Sequence, residues 1–213
     1  MVTRPPFAEK EFYHIFNRGT EKRLVFEDLY DYWRFLKLLF VCNNTKPFNL
    51  KYIDNPFVVD RQSPLVAIGA YCLMPNHFHI LLTPLQEKGV ARFMQKLITG
   101  YTMYFNTKNS RSGALFQGRY KVRHATDDRY LKYLFSYIHL NPVRSNIASQ
   151  KNILSSLDAY PFSSHHEYCY PANERIQKAI VSKESFPYYF DSETAYVNEL
   201  NDWIHYTEVE PQY

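Results

Sequence analysis

The chemistry-bearing residues of this chain begin with a pair of imidazoles, His77 and His79, separated by Phe78. They follow an apolar run, Val66 to Met74, and the dipeptide Pro75-Asn76, after which the apolar character resumes to Leu82. That pattern predicts a β-hairpin turning at Pro75-Asn76. On a strand, residues i and i+2 share a face, so both imidazoles point one way and Phe78 points the other. Two histidines fixed beside a tight turn make half of a metal site; the bland reading is a pair of surface residues. Sixty residues on, Tyr137 and Asn141 stand at i and i+4 in a segment with helical periodicity, and so neighbour each other on one helix face. Asn141 can supply a third, oxygen ligand, with the Tyr137 phenol one helical turn away.

The elements that must position these groups follow from the hydrophobic pattern. Residues 11–17 alternate as a strand and stop at Asn17-Arg18-Gly19. From Asp28, the residues Leu29, Trp33, Leu36 and Phe40 recur at helical spacing. Residues 43–64, with Pro47, Pro56 and Pro64 among Asn43, Asn44 and Asn55, read as a loop insertion. A long amphipathic helix is expected over about 87–107, burying Val90, Phe93, Leu97, Tyr101 and Tyr104. Residues 115–123 read as extended, which would line Arg119, Lys121 and Arg123 along one face. Such a row suits nucleic-acid phosphates; a charge-protected edge strand would look the same. Thr126-Asp127-Asp128 looks like a helix start, and Pro142 sets the stop near Asn141. Leu131, Leu134, Phe135 and Ile138 form that helix's buried face.

Composition narrows the function classes. The chain has 213 residues, 46% of them hydrophobic, and only six glycines, which describes a folded protein. No apolar run is long enough for a membrane span, and the first ten residues lack a signal peptide's apolar core. Three scattered cysteines, Cys42, Cys72 and Cys169, read as buried thiols, and the expected location is the cytoplasm. The net charge of +4 is unevenly spread. Residues 92–144 carry ten Lys/Arg against two Asp/Glu, while residues 145–213 carry four against ten. A basic middle third points to a polyanionic partner.

Four segments in order carry a family resemblance: Tyr13-His14-Ile15-Phe16-Asn17-Arg18-Gly19, residues 71–79, Gln117-Gly118-Arg119-Tyr120, and Tyr137-Ile138-His139-Leu140-Asn141-Pro142-Val143-Arg144. Tyr160-Pro161-Phe162-Ser163-Ser164 matches more weakly. Together they resemble the single-tyrosine HUH transposases, in particular the REP-associated tyrosine transposases. The resemblance implies an α+β fold, a small antiparallel ferredoxin-like sheet flanked by helices. It implies a domain over residues 1–168 and leaves 169–213 as an acidic, partly helical extension. It also implies His77, His79 and Asn141 as metal ligands, Tyr137 as nucleophile, and single-stranded DNA bearing a hairpin as partner. Arg18, Arg92, Lys96, Arg119, Lys121, Arg123 and Arg144 are the cations expected to face DNA. Whether the active site is completed within one chain or in a homodimer with exchanged tyrosine helices stays open.

The chemistry is consistent with that assignment. The cofactor expected at two imidazoles and a carboxamide is Mg²⁺, with Mn²⁺ at least as active in vitro; zinc sites more often use three His, Cys or carboxylate ligands. A tyrosine, with its ordinary pKa of about 10, needs help to act as a nucleophile, and the sequence identifies no base. Tyr120 and Tyr133 are rival nucleophiles, each read as a packing or stacking residue. His14, His124 and His139 are rival ligands; His139 is read as surface and His165-His166 as solvated. The alternative function is a DNA-binding protein with little cleavage activity. A replication initiator or relaxase of the same chemistry, and an ordinary metal hydrolase, are weaker readings.

Overall fold

The computed structural model describes residues 7–48, 50, 53–145, 147 and 152–204. The remaining residues, including the start of the chain and the last part of the acidic tail, lie outside the described residues. Strand β1 (Tyr13–Arg18) is followed by helix α1 (Leu29–Val41), strands β2 (Val66–Met74) and β3 (His77–Pro84), helix α2 (Gly89–Lys108) and strand β4 (Lys121–His124). The strands pair antiparallel in the order β2-β3-β1-β4. This βαββαβ arrangement is ferredoxin-like, with β1 inside the sheet. Helices α3 (Asp128–His139), α4 (Asn141–Arg144), α5 (Ile153–Asp158), α6 (His165–Cys169) and α7 (Glu193–Ile204) follow.

Period-two alternation divides the sheet into two buried faces. Tyr13, Ile15, Leu73, Phe78, Ile80 and Leu82 join α1 and α2 in the larger core. Ala70, Cys72, Met74 and Leu81 face the other way, against Leu131, Leu134, Phe135 and Ile138 of α3. The sheet is therefore sandwiched between helices, with α1 and α2 on one face and α3 on the other. Asp28 caps α1 by accepting from the Asp31 N–H, and Asp127 caps α3 by accepting from the Tyr130 N–H at 2.8 Å.

Several expectations change in detail. Leu29, placed on the buried face of the first helix, is 63% exposed, because the buried stripe begins at Asp31 and Tyr32. The extended run expected over 115–123 forms a strand only from Lys121. Gly118 has φ of +64°, which turns the backbone before the strand starts. The proposed row of three cations is thus two on the strand, Lys121 and Arg123, with Arg119 ahead of it. The 43–64 segment contains a short 3₁₀ turn, Pro56–Val58.

Residues beyond 160 close the sheet's β2 edge. The Leu73 N–H donates to Phe162 O at 2.9 Å, and the Ser164 and Ser182 N–H groups donate to Tyr71 O and Ile68 O. A bulge in β2 falls at Gly69, where the Phe186 ring approaches so closely that a Cβ would lie 2.7 Å from it. These contacts satisfy backbone groups that an open edge would leave unpaired.

Candidate active site

The site is built on the β2–β3 hairpin tip and the C-terminal end of α3. The tip is held from outside: Pro75 O accepts from the Val25 and Phe26 N–H groups, and Asn76 O accepts from the Gly19 N–H at 2.8 Å. His77 and His79 lie on the sheet face that meets α3, while Phe78 is fully buried in the opposite core. Their ring centroids are 5.0 Å apart. The His77 Nδ1 is 2.6 Å from Asn76 Oδ1, which fixes that ring at the turn.

A third imidazole joins the pair. His14, on the neighbouring β1, is fully buried and its Nε2 lies 2.8 Å from His79 Nδ1. In the β1–β3 register, Phe16 is directly opposite His79 and His14 opposite Leu81, so the two histidines meet diagonally. The Tyr137 ring stands edge-on to both, 5.6 Å from the His14 centroid and 5.6 Å from that of His79. The phenol and its imidazole neighbours therefore come from a single chain.

Asn141 sits just past the end of α3. Its Nδ2 donates to Tyr137 O at 2.9 Å, taking a carbonyl that the helix end would otherwise leave open. Its side chain also interacts with the His77 ring. Pro142, at the start of α4, keeps the chain turning there. His77, His79, Tyr137 and Asn141, chosen from sequence, are thus brought together in a buried cluster; Tyr137 is 6% exposed and Asn141 5%.

Burial sets the protonation of the imidazoles. Desolvation, with Arg123 adding to it, lowers His14 to about 3. Desolvation, then Arg18, lowers His77 to about 4, opposed by its Asn141 contact. His79 falls well below the ordinary histidine value through burial and its two imidazole neighbours. All three are neutral at pH 7, the form in which a ring nitrogen binds a metal. The His79 Nε2 is buried and has no hydrogen-bond partner among the described residues. Such an orphan is costly unless a ligand meets it.

The candidate DNA-facing cations divide. Lys121 pairs with Phe16 and Arg123 with His14, so both share the histidine face of the sheet, and both are exposed. Arg18 pairs with His77 across the sheet. Arg119 is exposed beside Gly118. Arg144 lies over the Tyr137 ring at 5.5 Å and donates to Trp203 O at 2.8 Å. Arg92 and Lys96 belong to α2, on the opposite side of the sheet, and Lys96 donates to the Asn44 and Lys46 carbonyls of the loop. The structure does not bring those two to the histidine face.

Two further readings are corrected. His139 and His165, expected at the surface, are fully buried. Asp158, His165, the Tyr196 hydroxyl, His139 and Ser164 form a continuous hydrogen-bonded chain. Residues 186–204, which fold over this region, supply the cover that the local sequence could not reveal. Asp158, His165 and Cys169 place metal-ligand atom types within 4.8 Å of one another. Both nitrogens of His165 are already engaged, and Asp158 also accepts from Tyr170. That cluster therefore reads as a fastening for α7. The three cysteines are free thiols and all buried, as expected.

Sequence reasoning noted His14 only as a rival ligand and missed its contact with His79. The signal was available: alternation from Tyr13 puts His14 on the side opposite Ile15, which makes it a buried polar residue needing a partner.

The comparisons with known proteins come from sequence and from fold. Residues 61–141 match the family model described as transposase IS200-like. A search of curated proteins gave no significant match. Among solved structures, the chain is similar to a REP-associated tyrosine transposase bound to a REP hairpin, at 14% identity and a TM-score of 0.56, over 83% of this chain and 90% of that one. No helix among the described residues is long and apolar enough to cross a membrane. The chain is therefore similar to the IS200-like transposases in sequence over residues 61–141, and to a REP-associated tyrosine transposase in fold over most of its length.

Proposed function

We propose that this protein is a metal-dependent endonuclease and strand transferase for single-stranded DNA, acting through a tyrosine-linked intermediate as a transposase of the single-tyrosine HUH type. The observation that carries the reading is the convergence of Tyr137 on the His77–His79 face of its own chain, with Asn141 between them. The IS200-like sequence match and the fold similarity support a DNA-processing role.

The donor set fits a divalent cation: neutral imidazoles, one with an orphaned buried nitrogen, beside a carboxamide oxygen. His77, His79 and Asn141 would hold it, as Mg²⁺ or Mn²⁺. When bound, it supplies charge neutralisation and Lewis acidity at the scissile phosphate. Lys121 and Arg123 offset phosphate charge on the same face, with Arg18 and Arg119 near the hairpin tip and the start of β4. Arg144, anchored on Trp203, lies over the Tyr137 ring and helps hold it in place.

In the reaction, the Tyr137 oxygen attacks phosphorus and the bond to the upstream 3′-oxygen breaks. The phenol loses its proton and the leaving oxygen becomes a 3′-hydroxyl. The phosphodiester energy is kept in a 5′-phosphotyrosyl bond. A second strand's 3′-hydroxyl then reverses the step, rejoining DNA without a nucleotide cofactor and returning the proton to the phenol. Because Tyr137 lies on its own chain's histidines, one copy contains every group used. The test is a hairpin-bearing single strand incubated with protein and Mn²⁺. Cleavage should leave a polymerase-extendable 3′-end and a 5′-end that stays blocked to kinase even after protease digestion, because a tyrosyl peptide remains on the 5′-phosphate. Binding without cleavage across such substrates would favour a DNA-binding role alone.

A further inference from the structure

We infer that His14 is a positioning residue for the metal site: its Nε2 accepts the Nδ1 proton of His79, so that His79 presents the lone pair of Nε2 to the cation. This rests on the metal reading above and names a residue that the ligand set does not include.

The argument is one of proton inventory. Each neutral imidazole carries one N–H and one lone pair. His77 and His79 are both held through Nδ1, one by Asn76 Oδ1 at 2.6 Å and the other by His14 Nε2 at 2.8 Å. A carboxamide oxygen only accepts, so His77 donates from Nδ1 and its Nε2 bears the lone pair. For His79 the partner is another imidazole, and the shared proton has two possible owners. With the proton on His79, its buried Nε2 is a bare lone pair and the His14 Nδ1 carries hydrogen. With the proton on His14, the His79 Nε2 becomes a buried N–H that would repel a cation. Both His79 Nε2 and His14 Nδ1 are buried without hydrogen-bond partners among the described residues, so no other contact decides between the tautomers. A cation at His79 Nε2 decides it, and His14 is the acceptor that makes the required tautomer available. Ligating histidines usually donate their second N–H to such an outer partner, whose loss typically weakens metal binding 10–100-fold.

The geometry also makes His14 an orienting group. Its ring lies nearly parallel to that of His79, with centroids 5.0 Å apart and an interplanar angle of 21°, stacks on Phe16 at 5.0 Å, and meets Tyr137 edge-on. Rotation of His79 about its own axis would break the Nδ1 contact, so the hydrogen bond fixes ring direction as well as proton position.

The experiment measures Mn²⁺ affinity of the full chain by electron paramagnetic resonance titration, in the absence of DNA. His14→Phe keeps an aromatic ring but removes the acceptor, and His14→Gln restores an acceptor near the Nε2 position. The expected result is a 10–100-fold loss in the Phe variant and recovery of most of it in the Gln variant. Equal affinity of wild type and a folded Phe variant overturns the inference while leaving the metal reading intact. Absence of Mn²⁺ binding in wild type overturns both. Nitrogen-15 NMR of the Mg²⁺-loaded wild-type histidines needs no variant: a protonated Nδ1 on His79 supports the inference, and a protonated Nε2 overturns it.

Discussion

Replacing Asn141 with aspartate separates the two tasks of that side chain. Its Nδ2 donates to Tyr137 O at 2.9 Å, and the residue is 5% exposed. Asn141→Asp puts a carboxylate oxygen where the N–H stood, facing the carbonyl. The helix end loses a hydrogen bond and retains a buried, unsatisfied carbonyl, a penalty of about 1–3 kcal/mol. At roughly 2–4 °C per kcal/mol for a domain of this size, the metal-free melting temperature should fall by about 5 °C. The same carboxylate is a harder, anionic ligand and should bind Mg²⁺ or Mn²⁺ more tightly than a carboxamide. A tenfold gain in affinity adds about 1.4 kcal/mol of stabilisation at saturating metal. Thermal melts in chelator and in excess Mn²⁺ should therefore show a variant that starts lower and gains more. If the variant melts like wild type in chelator, or gains no more from Mn²⁺, Asn141 does not stand between Tyr137 and the cation.

Other outcomes follow from the same contacts. His14, His77 and His165 have folded pKa values of about 3, 4 and 4, below the unfolded value of 6.5. Their contribution is intact above pH 6.5 and is lost as pH falls toward the folded values, at up to about 1.4 kcal/mol per pH unit for each. Denaturant titrations should give flat stability above pH 7 and a steep fall below 6.5; constant stability from pH 7 to 5 would contradict the buried neutral state. Lys121→Ala and Arg123→Ala should each lower the slope of log affinity against log salt for hairpin DNA by about 0.7–0.9, whereas Arg92→Ala, across the sheet, should leave it unchanged. Deleting residues 170–213 removes the buried Ile180, Tyr196 and Leu200, uncovers Leu140, Val143 and Leu157, and withdraws Trp203 from Arg144. Circular dichroism should show a marked loss of cooperative unfolding, and a deletion that melts like the full chain would refute the packing of α7 on α3.

Much of the site was legible because it is local. The hairpin turn at Pro75-Asn76 and the i, i+2 spacing oriented His77 and His79, and the i, i+4 spacing set Asn141 beside Tyr137. The face split of α3 into Leu131, Leu134, Phe135 and Ile138 was likewise carried by its periodicity. What escaped was non-local. The contact between His14 and His79 joins residues 65 positions apart, and depends on β1 lying between β3 and β4, which no local pattern states. His139 and His165 looked solvated because their cover comes from Tyr168, Phe190 and Tyr196 later in the chain. Arg119 left the expected row because one glycine at positive φ interrupts the strand. Local spacing thus revealed the reacting groups, and the sheet order determined which side chain supports them.

The most direct measurement is mass spectrometry of the protein after reaction with a hairpin-bearing single strand and Mn²⁺. The account predicts one nucleotide adduct, on the tryptic peptide containing Tyr137, and none from Tyr137→Phe, which should still bind the strand. An adduct on another tyrosine, or one that persists in Tyr137→Phe, would contradict it.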